Sequence, residues 1–514
     1  PSQLKQRRQL LAVAVDFRGC CAIITGAMNE SKNLTKLKEP SIYQLELWPQ
    51  GENSNLSSTF LSSTLSYRER LVRLLEGNLD YHGYDTGYAS HDFHAFPAKF
   101  PPALPNAFIR VLTAPGDTVL DPMMGSGTTI VEAYLAGRCC IGSDIDPLAF
   151  LITRVKTTPL DGEALRRQLY AIIDQANSSI ATQPEKTVAA IGSRWDQKTR
   201  EFIEYWFAPE TQVELAALLQ AIEAIPDPAM QDFFKLALSA CIITKTGGVS
   251  LAFDLAHTRP HRAKVVFSAS GKKIFGIDAE KEASPRIKLL TKRLRSAVVE
   301  FRKRTLQNIQ SLSELTMTGC PVVLHQADAQ SLPVEAASVD LIVTSPPYAV
   351  NAIDYMRANK FSLVWLGYNL DQLNETRKQC IGGESVTDFL FEPLPPKTAA
   401  VVEAISAVDL KRGKALHRYY SEMTRILREM YRVLRPDRAA VVVVASSEIR
   451  HIDTQTHRCL AEIGEALGFE IPAIGVRRLD RNRRMMPAGH VIDGDSQIQR
   501  RMHEEFVIGF YKPA

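Results

Sequence analysis

The sequence predicts an α/β fold: a doubly wound sheet with a large, mostly helical insertion between its second and third strands. Three observations predict it. An apolar stretch, Thr118 to Leu120, closes on Asp121 and a glycine-rich run, Pro122-Met123-Met124-Gly125-Ser126-Gly127-Thr128-Thr129. A helical pattern from Thr128 to Leu135, stopped at Gly137, leads to a second strand, Cys139 to Ser143, that ends in Asp144-Ile145-Asp146-Pro147. Much later, Val339 to Val343 ends in Thr344-Ser345-Pro346-Pro347-Tyr348. Strand, glycine turn, helix, strand and acid make the first half of a doubly wound nucleotide-binding fold.

The third strand arrives late. A crossover in such folds takes about 10–30 residues, yet the next convincing strand is Val322 to His325, leading to Asp328. The span 161–320 is therefore an insertion, long enough for a domain of its own. It reads mostly helical: Leu215, Leu218, Leu219 and Ile222 keep helical spacing, as do Ile287, Leu290, Leu294, Val298 and Phe301. Between Gly247 and Gly276 the pattern is less periodic and fits loops or a hairpin. Residues 1–80 form an N-terminal extension, 81–160 the first part of the sheet domain and 321–514 its second part. Within the second part, 369–414 reads as irregular, with Gly382-Gly383 and Pro393-Leu394-Pro395-Pro396. Tyr420 to Val433 is an amphipathic helix, Arg435 to Arg438 a turn, and Ala439 to Ala445 an all-apolar buried strand. Phe469 to Val476 and Glu505 to Tyr511 are the closing strands.

Composition excludes more than it names. With 514 residues the chain has room for two or three domains, and its net charge of +4 is too small to identify a partner. Of the eight cysteines, none forms Cys-x-x-Cys or a metal-ligand spacing with histidine, which fits free thiols in a reducing, cytoplasmic setting and no metal. No apolar stretch reaches the ~18–20 residues of a membrane helix. Lys5 to Val15 faintly imitates a secretory signal, but Asp16 and Arg18 break it, and Met28-Asn29-Glu30 reads as a natural start. No function is assigned to this stretch.

Each residue type in the glycine run has a physical reason. Gly125 and Gly127 allow close backbone approach to a ligand. Asp121 can take an ammonium group, Asp144 both hydroxyls of a ribose, and Asp328 an exocyclic amine. Ile145 can pack on a purine face. Each acid alone is a common turn or cap residue. As an ordered set at three strand ends they suit a ligand with amine, ribose and adenine, and no Walker-type motif points to phosphates instead.

These motifs resemble the amino-methyltransferases of DNA, the N4-cytosine/N6-adenine family of Thr-Ser-Pro-Pro-Tyr type, which use S-adenosylmethionine. The resemblance covers roughly 81–159 and 322–512 and implies a class I methyltransferase, Rossmann-like fold. By position it assigns the methionine part of the cofactor to Asp121, Gly125, Gly127 and Thr128. Asp144 with Ile145 then serves the ribose and adenine, and Asp328 with Ala329 the adenine edge. Met123 stands where the family usually has Phe. Phe96 to Pro102 looks like the segment closing the methionine end, so Lys99, Phe100 and Pro101 join the cofactor set, before a helix from about Ala103.

At the second strand end, an exocyclic amine attacks poorly because its lone pair is delocalised into the ring. The Ser345 hydroxyl and Pro346 carbonyl can accept its N–H bonds and favour a pyramidal nitrogen. Pro347 stiffens the loop, and Tyr348 offers a ring for stacking. Such a reaction needs positioning and electrostatics rather than a metal or covalent nucleophile. A duplex base must flip out to reach this loop. In the family, Ser at the first position is commoner in cytosine-N4 enzymes. The expected activity is therefore site-specific methylation of cytosine N4 in double-stranded DNA. Adenine N6 is the alternative, followed by an RNA amino-methyltransferase and a non-catalytic DNA-binding subunit. A cognate restriction endonuclease is the partner that a restriction-modification setting implies, although no nuclease motif is evident in this chain.

Phosphate contacts are expected from Arg477, Arg478, Arg481, Arg483 and Arg484 at the start of the last interstrand loop. A second basic cluster, Arg286, Lys288, Lys292, Arg293, Arg295, Arg302, Lys303 and Arg304, reads as one helix. Base readout is expected in the insertion, from loop residues such as His257, Arg259, His261, Arg262, Lys272 and Lys273.

Overall fold

The computed structural model describes residues 65–514 except 97–98, 100, 245–246, 254, 256–259, 277–290, 313–314, 316–318, 350–353, 384–388 and 480–503. Helix α1 (Tyr67–Glu76) starts at a capping box between Ser66 and Glu69, and α2 (Ala103–Leu112) follows Pro102. Then come β1 (Thr118–Asp121), α3 (Thr128–Leu135), β2 (Cys139–Ser143) and α4 (Pro147–Lys156). Asp146 caps α4 through the Leu148 amide, and Pro147 occupies the first turn, where a missing N–H costs nothing.

The insertion comprises α5 (Gly162–Thr182), α6 (Pro184–Gly192), α7 (Gln197–Trp206), α8 (Pro209–Glu223) and α9 (Pro228–Ile242). A small sheet of β3 (Val265–Phe267), β4 (Lys273–Phe275) and β5 (Thr291–Arg293) precedes α10 (Ala297–Leu312). β3 and β4 are the hairpin expected near Gly276. Of the helix expected through Ile287, Leu290, Leu294, Val298 and Phe301, the first two residues lie outside the described ones, Val298 and Phe301 are on α10, and Leu294 is corrected: it follows β5, which pairs parallel to β3. A spacing of four, as between Leu290, Leu294 and Val298, cannot by itself distinguish a helix from a short strand and the turn that follows it.

The chain returns through β6 (Val322–His325), β7 (Val339–Thr344), α11 (Met356–Leu363), α12 (Leu370–Gln379), α13 (Pro396–Val408) and α14 (Leu410–Val433). The segment 369–414 is thus largely helical rather than irregular. Its signals were local: Asn369 and Gln372 form a capping box for α12, and Pro396 starts α13. β8 (Leu434–Val444), a short hairpin of β9 (Glu448–Ile449) and β10 (Ile452–Asp453), α15 (Thr456–Ala466), β11 (Ile474–Arg478) and β12 (Glu504–Lys512) complete the order. The turn expected at Arg435 to Arg438 survives as a register irregularity in the β7–β8 ladder, with Asp437 at φ 58°.

The main sheet runs β11-β12-β8-β7-β1-β2-β6, with β12 antiparallel to both neighbours and the other pairs parallel. Its central strands are apolar on both faces, as parallel strands covered by helices must be. In β8, Ala439, Val441 and Val443 face one core, while Ala440, Val442 and Val444 face the other. The second core is closed by α14 and α15. The first takes in α1, α2, α3 and the inserted helices, so Phe233 and Phe301 share one core with Val119 and Leu341. From Thr64 onward the chain is a single unit, and the insertion is continuous with the sheet's core rather than a separate lobe.

Candidate functional site

Order reverses at β1, which has β2 on one side and β7 on the other. Ligands of doubly wound sheets bind at the carboxyl ends of strands at this switch point. The glycine run follows β1 and Ser345-Pro346-Pro347-Tyr348 follows β7, so strand order makes them neighbours. Their link is specific: Thr344 Oγ1 donates to Asp121 Oδ1 at 2.7 Å, and the Met123 amide donates to the same oxygen at 3.1 Å. Thr129 Oγ1, in the first turn of α3, donates to the Val343 carbonyl at 3.1 Å. The threonine before Ser345 therefore couples both motifs, a role that sequence reasoning did not reach.

The glycines behave as expected. Gly125 and Gly127 have φ of +47° and +76°, and a Cβ at Gly127 would stand 2.6 Å from Thr153 Oγ1. The Gly125 amide donates to Asp144 Oδ2 at 2.8 Å and the Asp146 amide to Asp144 Oδ1 at 2.9 Å. Buried Lys156 donates to the Ser126 carbonyl at 2.8 Å, bracing the turn from behind.

Both motifs open on one cavity. A cavity of about 670 Å³ is lined by Asp121, Met123, Gly125, Thr128, Asp144, Ile145, Asp328 and Ala329 together with Ser345 and Pro347. Lys99 also lines it, with its Nζ on the His91 carbonyl at 3.0 Å. Gly127 shapes the turn without lining the cavity, Pro101 leads into α2, and Phe100 lies outside the described residues. Three features of the cavity and its wall were not foreseen. The Tyr355 ring stacks on Phe96 with centroids 5.1 Å apart and planes at 19°. Asn359 Nδ2 donates to Asp146 Oδ2 at 2.5 Å, tying α11 to the wall beneath. Gly382 and Gly383 meet Arg418, whose Nε pairs with Glu422 at 2.8 Å, and the Gly382 amide donates to the same carboxylate at 2.8 Å. Only the Gly-Gly pair left a sequence signal.

Charge explains what the cavity takes. Burial pushes Asp121 up to about 6 against the hydrogen bonds from Thr344, Met123 and Thr129. Burial, then the Asp146 carboxylate, pushes Asp144 up to about 7. Each pKa unit is worth 1.36 kcal/mol, so keeping Asp121 ionised at neutral pH costs about 3 kcal/mol and Asp144 about 4 kcal/mol. Among the described residues, the main influences on either group include no cationic side chain. Buried acids ordinarily have such a partner. A ligand carrying an ammonium, a sulfonium and ribose hydroxyls supplies the missing charge and donors, so these residues fit S-adenosylmethionine. Asp328 is already engaged by Gln330, whose amide donates at 2.9 Å and whose Nε2 reaches both carboxylate oxygens. Among the described residues no group of His, Cys, Asp and Glu could hold a metal, and no helix is long and apolar enough to cross a membrane.

The basic residues divide. Arg477 is corrected: it lies within β11, is 8% exposed, and is ion-paired with Glu505 on β12, not free for phosphate. Lys292 is corrected likewise. It donates to the Ser250 and Ala252 carbonyls, each at 2.6 Å, and burial lowers it to about 7. The Arg262 guanidinium lies over the Tyr205 and Phe275 rings at 4.4 and 4.7 Å. Lys272 and Arg478 are exposed, Lys273 is half-buried in β4, and Arg302, Lys303 and Arg304 lie on α10. Arg259, Arg481, Arg483, Arg484, His257, Arg286 and Lys288 lie outside the described residues.

The chain is also similar to known DNA methyltransferases. The DNA methylase family model of N6/N4 methyltransferases matches residues 39–153. The chain is 24% identical to the Type II methyltransferase M.MvaI of Kocuria varians, over 77% of this chain and 86% of that one. It is 25% identical to the Type II methyltransferase M.BsoBI of Geobacillus stearothermophilus, over 51% and 50%. A shorter match, 36% identical over 16% of each chain, joins it to the Type II methyltransferase M.MjaII of Methanocaldococcus jannaschii. Among solved structures, the rRNA methyltransferase aviRa of Streptomyces viridochromogenes aligns at 12% identity over 70% of this chain and 80% of its own. Its TM-score of 0.22 carries no argument. Motifs, switch-point cavity and relatives together support a DNA amino-methyltransferase of the N4/N6 family, with S-adenosylmethionine implied as its methyl donor.

Proposed function

We propose that this protein methylates the N4 amino group of cytosine in double-stranded DNA at a specific site. The observation that carries the reading is the shared cavity: Ser345 and Pro347 line the same space as Asp121 and Asp144. When bound, S-adenosylmethionine supplies an electrophilic methyl group on a sulfonium. The chain supplies everything else. Asp121 and Asp144 hold the cofactor, while the Ser345 hydroxyl and Pro346 carbonyl accept the two amine N–H bonds, turning the lone pair toward the methyl group. Transfer would form the N–C bond as the sulfonium's S–C bond breaks to leave a thioether, with one amine proton passing to solvent. Tyr348 stacks on the flipped base, its phenol kept neutral because burial, then nearby Glu505, raises its pKa well above the ordinary value. Serine at the first position supports cytosine N4, because in the family that the motif resembles Ser there is commoner in cytosine-N4 enzymes. The insertion, with Lys272 and Lys273, is the proposed recognition region. Arg478, with Arg481, Arg483 and Arg484, is proposed for backbone contacts.

The test is incubation of the full chain with S-adenosylmethionine and unmodified duplex DNA, followed by nucleoside mass spectrometry. N4-methyldeoxycytidine is the expected product. N6-methyldeoxyadenosine would move the target to adenine, and methylation of transcript alone would overturn DNA as substrate. A fluorescent base analogue at the target position should brighten on binding if the base flips.

A further inference from the structure

A tyrosine that only stacks on a base has no need of its hydroxyl, because phenylalanine stacks as well. Here the hydroxyl is committed. Tyr348 OH donates to Glu505 Oε1 at 2.7 Å, and the Ser345 side chain also hydrogen-bonds the phenol. The other Glu505 oxygen, Oε2, accepts from Arg477 Nη1. Glu505 and Arg477 stand directly opposite each other in the β11–β12 ladder, and both are 8% exposed. The carboxylate is therefore fixed by strand register, not by a loose loop. A buried ion pair is weak support for stability, since an apolar pair of similar volume commonly does as well. Arg477 Nε is moreover buried without a partner, which adds a cost. An apolar cross-strand pair would serve the sheet better. The pair's useful product is an oriented acceptor beside the catalytic loop.

We propose that Glu505 and Arg477 are positioning residues, holding the Tyr348 ring by its phenolic oxygen in the plane on which the target base stacks. The inference rests on the reading of Tyr348 given under the proposed function. It assigns work to a strand pair far along the chain from Ser345, and it explains why the fourth motif position is tyrosine here.

The test is a double-mutant cycle on single-turnover methyl transfer to duplex DNA. One arm replaces the ion pair by an apolar pair (Glu505→Leu with Arg477→Leu), and the other is Tyr348→Phe. Each arm should slow transfer about tenfold, the size of one lost charge-assisted hydrogen bond, with S-adenosylmethionine affinity unchanged. Combined, they should be no slower than either alone. A Tyr348→Phe enzyme as fast as the parent, or losses that multiply in the combination, would overturn the proposal. If the parent transfers no methyl to DNA, the proposed function fails, yet the tether is still decided by fluorine NMR of 3-fluorotyrosine at position 348. Replacing the ion pair should move that resonance, and an unmoved resonance sinks the tether.

Discussion

The cavity at the switch point and the basic residues of the insertion and β11 invert each other. In the cavity, Asp121 is buried and Asp144 half-buried, with no cationic side chain among the described residues as a main influence on either, and they are raised to about 6 and about 7. Elsewhere, Lys292, Arg262 and Arg477 looked available for nucleic acid, yet each is spent inside the protein, on carbonyls, on aromatic faces and on Glu505. A buried charge that lacks a partner marks a place where a ligand completes the structure. A charge already engaged by groups of the chain is not free to meet a phosphate. Sequence shows the charge in both cases but never the partner.

The comparison would break most sharply at Ser345. Ser345→Ala should lower single-turnover methyl transfer on the order of 10²–10³-fold, as removal of a transition-state hydrogen bond does elsewhere, while cofactor affinity stays within about twofold. Equal transfer by parent and variant would mean that the second strand end does no chemistry.

Asp121→Asn sharpens the acid half. It removes a buried, unneutralised carboxylate while keeping its shape, so cofactor affinity should fall at least about tenfold. The ligand-free protein should gain up to about 3 kcal/mol of stability at pH 8. Thermal melts with and without S-adenosylmethionine check both. An asparagine variant that binds normally, or that melts earlier in the absence of cofactor, contradicts the reading.

The basic half yields smaller effects with opposite signatures. Lys292→Met should lower the melting temperature through two unsatisfied buried carbonyls, a loss of about 1–3 kcal/mol, and leave the salt dependence of DNA binding alone. Lys272→Ala should do the reverse: stability unchanged within about 0.5 kcal/mol and a shallower salt dependence by about one charge. Binding isotherms at several salt concentrations separate them.

Most of the sheet was legible because each strand of the first half ends in residues with a local reason to be there. Asp121 closes β1, Gly125 and Gly127 turn the chain, and Asp144 closes β2. The strand order that joins the motifs follows from this pattern and right-handed crossovers. What stayed hidden is tertiary. Thr344 on Asp121, Tyr355 on Phe96, Arg418 under Gly383 and Glu505 behind Tyr348 join residues far apart in the chain. The helices of 369–414 were hidden for another reason: the Pro393 to Pro396 cluster reads as a loop, although its last proline starts α13. Arg477 was misplaced because β11 runs two residues past Val476.

The acids also fix how pH should act. Both carboxyls hold their proton more tightly folded than unfolded. Their contribution to stability is therefore complete below pH of about 4 and is lost as pH rises through about 6 for Asp121 and about 7 for Asp144. S-adenosylmethionine favours the ionised forms, so binding must expel protons wherever the free protein still holds them. Calorimetric titration of the full chain with S-adenosylmethionine at pH 6, repeated in buffers of different ionisation enthalpy, measures this directly. Net proton release at pH 6 that vanishes by pH 9, and is diminished in Asp144→Asn, is the predicted result. Binding at pH 6 with no proton released would contradict the claim that the cofactor completes these two acids.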